Sequence, residues 1–328
     1  MPAIITHDFF GRDMYESAKE LIGTQEEELR AFLLGNQGPD PLFFLVITPR
    51  ARFKNALKIG SLMHRLDPAA LLVALKEGLE ALEDDEQGVG RAFLAGFLCH
   101  YLLDRNMHPF VYSQQYALCD AGIEGLTRKN GNDVHAEIER EFDEMILFKK
   151  TGRTVRTFKP YRDILQANDA TLAALSKMVE FASIKALRVF PAPDAFAASV
   201  KNYRFAMRAF YSPAQHRANV VAFAETRILR RGGSFFKAMS HRDRAEATSA
   251  FDNREHATWE NPFTHEVRTT GFWDIFDATK AQAQDALRAI MLPTFDVAAA
   301  ELVTGGLDFS GRPAPLRPDA LNPNAPND

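Results

Sequence analysis

With 328 residues, 46% of them hydrophobic and 25% charged, the chain has the composition of an ordinary globular protein and can bury a sizeable core in one large domain or two smaller ones. A formal net charge of -4 removes any general attraction to nucleic acid or to anionic membrane surfaces, and no apolar segment is long enough to span a bilayer. Cys99 and Cys119 form neither a CxxC pair nor a disulfide framework, which fits a reducing compartment.

The amino-terminal MPAIITHDFFGRDMYE has no basic region followed by an apolar one, so no signal peptide and a cytoplasmic location are expected. TQEEELRAFLLG then reads as a helix with Thr24 as its cap, an acidic first turn and a stop at Gly35. LDPAALLVALKEGLEALEDDE follows, with Asp67 as cap and Pro68 at the first helical position. A buried helix is expected from about Val89 to His108, and an amphipathic one from about Asp133 to Lys149. Farther on, ANDATLAALSKMVEFASIKALRVF, PDAFAASVKNYRFAMRAF, SPAQHRANVVAFAETRILRRGG and WDIFDATKAQAQDALRAIML each carry helical periodicity and helix-end residues. Without a useful strand pattern or an internal repeat, the chain reads as an all-α fold in one domain, 1–305. Residues 306–328, rich in proline, asparagine and aspartate, read as a poorly ordered tail.

Chemistry enters at CHYLLDRNMH. On a helix of about 100° per residue, His100, Asp104 and His108 fall within an arc of about 80°, one turn apart, so three potential ligands point the same way. The upstream run VGRAFLAGFL is almost wholly apolar, so this helix is buried and Asp104 needs a compensating charge. In DVHAEIEREFDEM, His135 and Glu139 are again one turn apart. They lie at the edge of the stripe formed by Val134, Ile138, Phe142 and Met145, with Glu137, Arg140, Glu141 and Glu144 on the other side. A hydrogen-bonded core histidine explains any one of these residues alone. Three of nine histidines in two such motifs favour a bound cation, which also makes a buried Asp104 tolerable. Imidazole plus carboxylate without a cysteine cluster favours zinc in a hydrolytic site.

THDFFGRDM, GNQGPDPLF, SLMHRLDP, GFLCHYLLDRNMHP and HAEIE, in that order over residues 1–150, resemble the zinc-dependent phospholipase C family. That resemblance implies an all-α multi-helix bundle, shared with the zinc-dependent single-strand nucleases, and a cluster of two or three zinc ions. It implies that Asp40, His64, His100 and Asp104 hold one ion, that His108, His135 and Glu139 hold a second, and that His7 with Asp104 holds a third. Secreted members complete the third site with a terminal tryptophan, and MPAIITH offers none. By local sequence alone, Asp40 in QGPDP also suits a turn, His64 a helix end and His7 an exposed terminus.

Such a cluster suits hydrolysis of a phosphate ester, in line and with inversion at phosphorus. Zinc brings the ionisation of bound water to about pH 7, and Asp40 is the carboxylate expected to orient or deprotonate that water. The expected substrate is a small phosphodiester, phospholipid-like or nucleotide. The other reading is a helical metal-binding protein that uses its zinc for stability or partner binding. RILRRGGSFFK, with Arg227, Arg230, Arg231 and Lys237, suits a phosphate site or simply a basic helix end before glycine. Trp259, Phe263, Phe272 and Trp273 suit lipid contact or, more simply, aromatic packing under a loop. His216, His241, His256 and His265 have no partner at ligand spacing.

Overall fold

In the computed structural model, residues 3–48, 53–54, 56–124, 126–211 and 240–315 are described. The fold is all-α. Helix α1 (Ile4–Ile22) stops at Gly23, whose φ of +96° favours glycine. Helix α2 (Glu26–Gly35) begins one residue later than expected: Gln25, not Thr24, is its cap, in a reciprocal box with Glu28. A 3-10 segment, Asp40–Ile47, and helix α3 (Ile59–Arg65) lead to α4 (Pro68–Glu77), where Asp67 accepts the Ala69 N–H at 2.9 Å.

Helix α5 (Gln87–Cys119) continues about three turns past His108, through Pro109. Proline removes one ladder hydrogen bond, but Phe110 and Val111 are 1% exposed, so packing rather than propensity holds the helix there. Helix α6 (Gly131–Thr151) ends on Gly152 in the left-handed region, and α7 (Asp169–Leu187) is capped by Asn168. Then come α8 (Ala195–Phe210), a two-residue antiparallel ladder of β1 (Trp259–Glu260) with β2 (Val267–Arg268), α9 (Phe272–Met291) and α10 (Val297–Thr304). The helix expected in SPAQHRANVVAFAETRILRRGG, with Arg227, Arg230, Arg231, Lys237 and His216, lies outside the described residues. Among the described residues no helix is long and apolar enough to cross a membrane.

By contacts the chain divides into two compact units. The division falls inside α1, α5, α8 and α9 and once between helices, at Leu165 and Gln166.

The first unit is Met1–Phe10, Asn106–Leu165 and Arg204–Ala278. Its core is aromatic: Phe142 on α6 lies 4.6 Å from Phe272 and 6.3 Å from Phe110, which meets Trp259 at 5.2 Å. On the face of α6 expected to be polar, Arg140 and Glu144 are buried at 3% and 2% exposure while Glu137 and Glu141 are half-buried, and Asp143 is buried as well at 0%. The sequence around residue 240 supplies the partners: His241 Nε2 lies 2.8 Å from Asp143, Arg242 pairs with Glu144 and Arg244 with Glu141. Asp143 also accepts the Ile5 N–H, the Thr6 N–H and the Thr6 hydroxyl, satisfying the free donors of the first turn of α1.

The second unit is Gly11–Arg105, Gln166–Tyr203 and Thr279–Asp328. Here α4 packs on α7 and α10. Helices α2 and α5 approach until their backbones touch: a Cβ on Gly96 would stand 2.0 Å from the Phe32 carbonyl oxygen, and one on Gly35 2.3 Å from that of Phe93. The segment 306–315, expected to be poorly ordered, is folded back, with Leu307 bridged to Pro313 and Phe309 1% exposed. One buried aromatic and the turn-forming Asp308 outweigh a tail-like composition there.

Two substitutions test these packings by denaturant unfolding. Gly96→Ala gains about 1 kcal/mol of helix propensity, yet it is expected to destabilise by about 3 kcal/mol, since its neighbours are backbone that cannot rotate away. An unchanged or raised midpoint would contradict the close approach. Asp143→Ala should cost about 3 kcal/mol by stranding two N–H groups and His241, and a loss under 0.5 kcal/mol (roughly, the surface norm) would contradict the capping role.

Candidate metal centre

In the second unit the GNQGPDP motif acquires a physical meaning. Asn36 caps the C-terminus of α2, where carbonyls have no helical partner, and its carbonyl accepts from His100 Nδ1 at 3.1 Å. Gly38, at φ +51°, passes over the imidazole so closely that a Cβ would meet His100 Cδ2 at 2.1 Å. Two residues on, Asp40 opens the 3-10 segment, 7% exposed. Helix α3 presents His64, whose Nδ1 lies 2.7 Å from the Gly60 carbonyl one turn back.

A carbonyl oxygen can only accept, so both imidazoles carry their proton on Nδ1. Each then turns Nε2 toward a carboxylate: His64 to Asp40 at 3.1 Å and to Asp104 at 3.9 Å, His100 to Asp104 at 3.2 Å. A neutral imidazole would set a lone pair against a carboxylate lone pair in each case, so the arrangement calls for shared positive charge. Tetrahedral ligands about 2.1 Å from a zinc ion stand about 3.4 Å from one another, and these pairs, at 3.1, 3.2 and 3.9 Å, lie on either side of that spacing. Burial opposes the charge of Asp40, but the His64 hydrogen bond and the charges of His100 and His64 hold its carboxyl below the usual range.

The first unit repeats the pattern. Glu139 on α6, 5% exposed, lies 3.2 Å from His135 Nε2 and 3.4 Å from His108 Nε2 on α5. His135 Nδ1 is held by Gln115 Oε1 at 2.9 Å, and the rings of His108 and His135 stack at 5.3 Å. Burial pushes His135 down, against the pull of Glu139. Burial opposes the charge of Glu139, yet nearby positive charge and the hydrogen bonds of His108 and His135 bring its carboxyl well below the ordinary range.

The sequence-derived candidates therefore gather as Asp40, His64, His100 and Asp104 in the second unit and as His108, His135 and Glu139 in the first. His7 is 3% exposed on α1 in the first unit and not at an exposed terminus. Cys99, beside His100, is fully buried, and burial pushes its thiol far up, so it offers no thiolate. His241, His256 and His265 join none of the ligand groups; the first serves Asp143, and the others pair at the surface with Asp274 and Glu260. Of the loop aromatics, Trp259 and Phe272 are buried, as the simpler reading has it, while Phe263 and Trp273 are half-buried; Phe263 meets Tyr112 at 5.4 Å, and Tyr112 meets His135 at 4.9 Å. Gln115 and Phe309, both in contact with ligand imidazoles, carry no signal in sequence, because neither has ligand chemistry or motif spacing.

A family model described as zinc dependent phospholipase C matches residues 6–182, from α1 into α7, and contains all eight candidate ligands. No curated protein and no solved structure matches the chain. The donor chemistry, the ligand spacing and a match over more than half of the chain agree, and the chain belongs to the zinc-dependent phospholipase C family, a family of zinc-dependent hydrolases.

Proposed function

We propose that the chain is a zinc-dependent phosphoesterase that hydrolyses a phosphodiester, phospholipid-like or nucleotide. The observation that carries this reading is the imidazole Nε2 facing a carboxylate oxygen at 3.1–3.2 Å with Nδ1 held from behind, in His64 and His100 of the second unit and His135 of the first, with His108 Nε2 3.4 Å from the same Glu139. Asp40, His64, His100 and Asp104 are the proposed ligands of one ion, and His108, His135 and Glu139 those of a second. His7 is the proposed ligand of a third. Zinc, when bound, polarises phosphoryl oxygens and brings the ionisation of water to about pH 7.

The chain's own residues supply the rest. Asp40 remains an anion despite its burial and is the proposed group that orients the attacking water and takes its proton. His64, His108 and His135 keep 19%, 14% and 14% of their side-chain surface exposed, so both groups have an edge open to solvent. A purely structural site closes its shell, and this open edge favours catalysis over a stabilising role.

Elemental analysis of protein purified without added metal is expected to find two or three zinc ions per chain, with one fewer in His7→Ala; protein without zinc, manganese or iron would overturn the reading. Loaded protein should cleave at least one of p-nitrophenyl phosphodiesters, short-chain phosphatidylcholine and single-stranded oligonucleotides. Chelation should abolish that activity and zinc restore it. Fully loaded but inactive protein would favour the non-catalytic metal-binding alternative.

Asp104→Asn removes a charge and a strong ligand oxygen, and it should lose at least one ion and more than a hundredfold of activity, roughly, as a ligand loss exceeds the effect of an outer contact. In zinc at a hundred times Kd it should be less stable than wild type by about 3 kcal/mol, the binding contribution to the native state. In chelator the difference should narrow or reverse, because asparagine relieves the repulsion of buried carboxylates. An equal stability difference in zinc and in chelator would remove Asp104 from the ligand set.

A further inference from the structure

The family match ends at residue 182, yet two of the candidate ligands are covered by a residue from the far end of the chain. Phe309 is 1% exposed, and its ring lies 5.0 Å from His64 and 5.9 Å from His100, tilted by 54° and 50°. Tyr101 and Phe97 meet the same ring edge-on at 5.0 and 6.2 Å. Phe43, 5.2 Å from His64, adds a second aromatic contact to that imidazole.

The turn that carries Phe309 is built to a fixed shape. Gly305, Gly306 and Gly311 adopt positive φ, and the Asp308 carboxylate accepts the N–H groups of Ser310 and Arg312 at 2.8 and 3.0 Å. Helix α5 anchors this turn from the positions beside its own ligands. Tyr101, next to His100, donates its hydroxyl to the Leu307 carbonyl at 2.7 Å. Arg105, next to Asp104, donates to the carbonyls of Val303 and Thr304 at 2.9 and 3.1 Å. One stretch of helix thus presents the ligands and holds the cover placed over them.

We infer that Phe309 is a positioning residue for the metal site of the second unit, an inference that rests on reading His64 and His100 as zinc ligands. Each imidazole is held through Nδ1 by a hydrogen bond, which by itself sets one point of the ring and not its tilt. The phenyl ring packs against both imidazoles and helps set that tilt, with Nε2 aimed at Asp40 and Asp104. It also covers one side of each imidazole, and in the lower local dielectric on that side the carboxylates attract a cation more strongly.

The test compares Phe309→Ala and Phe309→Leu with Phe196→Ala, which removes an equally buried ring packed on Phe93 at 5.4 Å. Zinc affinity is measured by competition with a chromophoric chelator, and Tm with zinc and with chelator. Phe309→Ala is expected to bind the ion of this site about 10- to 100-fold more weakly, with Phe309→Leu in between, and zinc should raise its Tm less than it raises that of wild type. Phe196→Ala should lower Tm equally in both conditions and bind zinc as wild type does. Should Phe309→Ala fail to fold, Phe309→Leu carries the comparison. Phe309 variants that bind zinc normally and lose equal Tm with and without it would overturn the inference while the zinc reading stands. Wild-type protein that takes up no zinc would overturn both.

Discussion

An imidazole whose Nδ1–H is committed to a carbonyl has only a lone pair left at Nε2 when neutral, and in this chain that lone pair faces a buried carboxylate. Asp40, Asp104 and Glu139 are 5–7% exposed, and each has an imidazole nitrogen within 3.4 Å. Protonating every imidazole would crowd like charges, whereas one divalent ion in each group compensates carboxylate and imidazole together. The remaining features of each unit hold these imidazole and carboxylate atoms against one another.

In the second unit that requirement reaches down to single glycines. Gly35 and Gly96 let α2 and α5 touch backbone to backbone, which brings the free carbonyl of Asn36 to His100, and Gly38 lets the following loop pass over the imidazole toward Asp40. In the first unit α6 buries part of its charged side as well as its apolar side. Asp143, one turn after Glu139, fastens the first turn of α1 and is itself paired with His241. Buried polar groups of this kind specify one arrangement, since each partner lost leaves another donor or acceptor unsatisfied.

Much of this is legible in sequence where local periodicity governs. The spacing of His100, Asp104 and His108 and of His135 and Glu139 gives one-turn stacking directly, and the apolar run before Cys99 gives burial. Asp40 and His64 are different. They come from a 3-10 segment and a two-turn helix, too short for periodicity, and only the family resemblance singled them out. The charged face of α6 misled because a helical pattern cannot show that residues a hundred positions later bring His241 and Arg242 to cover it. Phe309 was hidden for the same reason, in a segment whose composition outvotes its one large apolar side chain.

Zinc K-edge X-ray absorption on the protein as isolated tests most directly whether these imidazole–carboxylate groups hold the cation. The expected spectrum has a nitrogen and oxygen shell at about 2.0–2.1 Å with imidazole multiple scattering. Sulfur scattering at about 2.3 Å, or a shell without imidazole, would contradict the assignment of His64, His100, His108 and His135 as ligands.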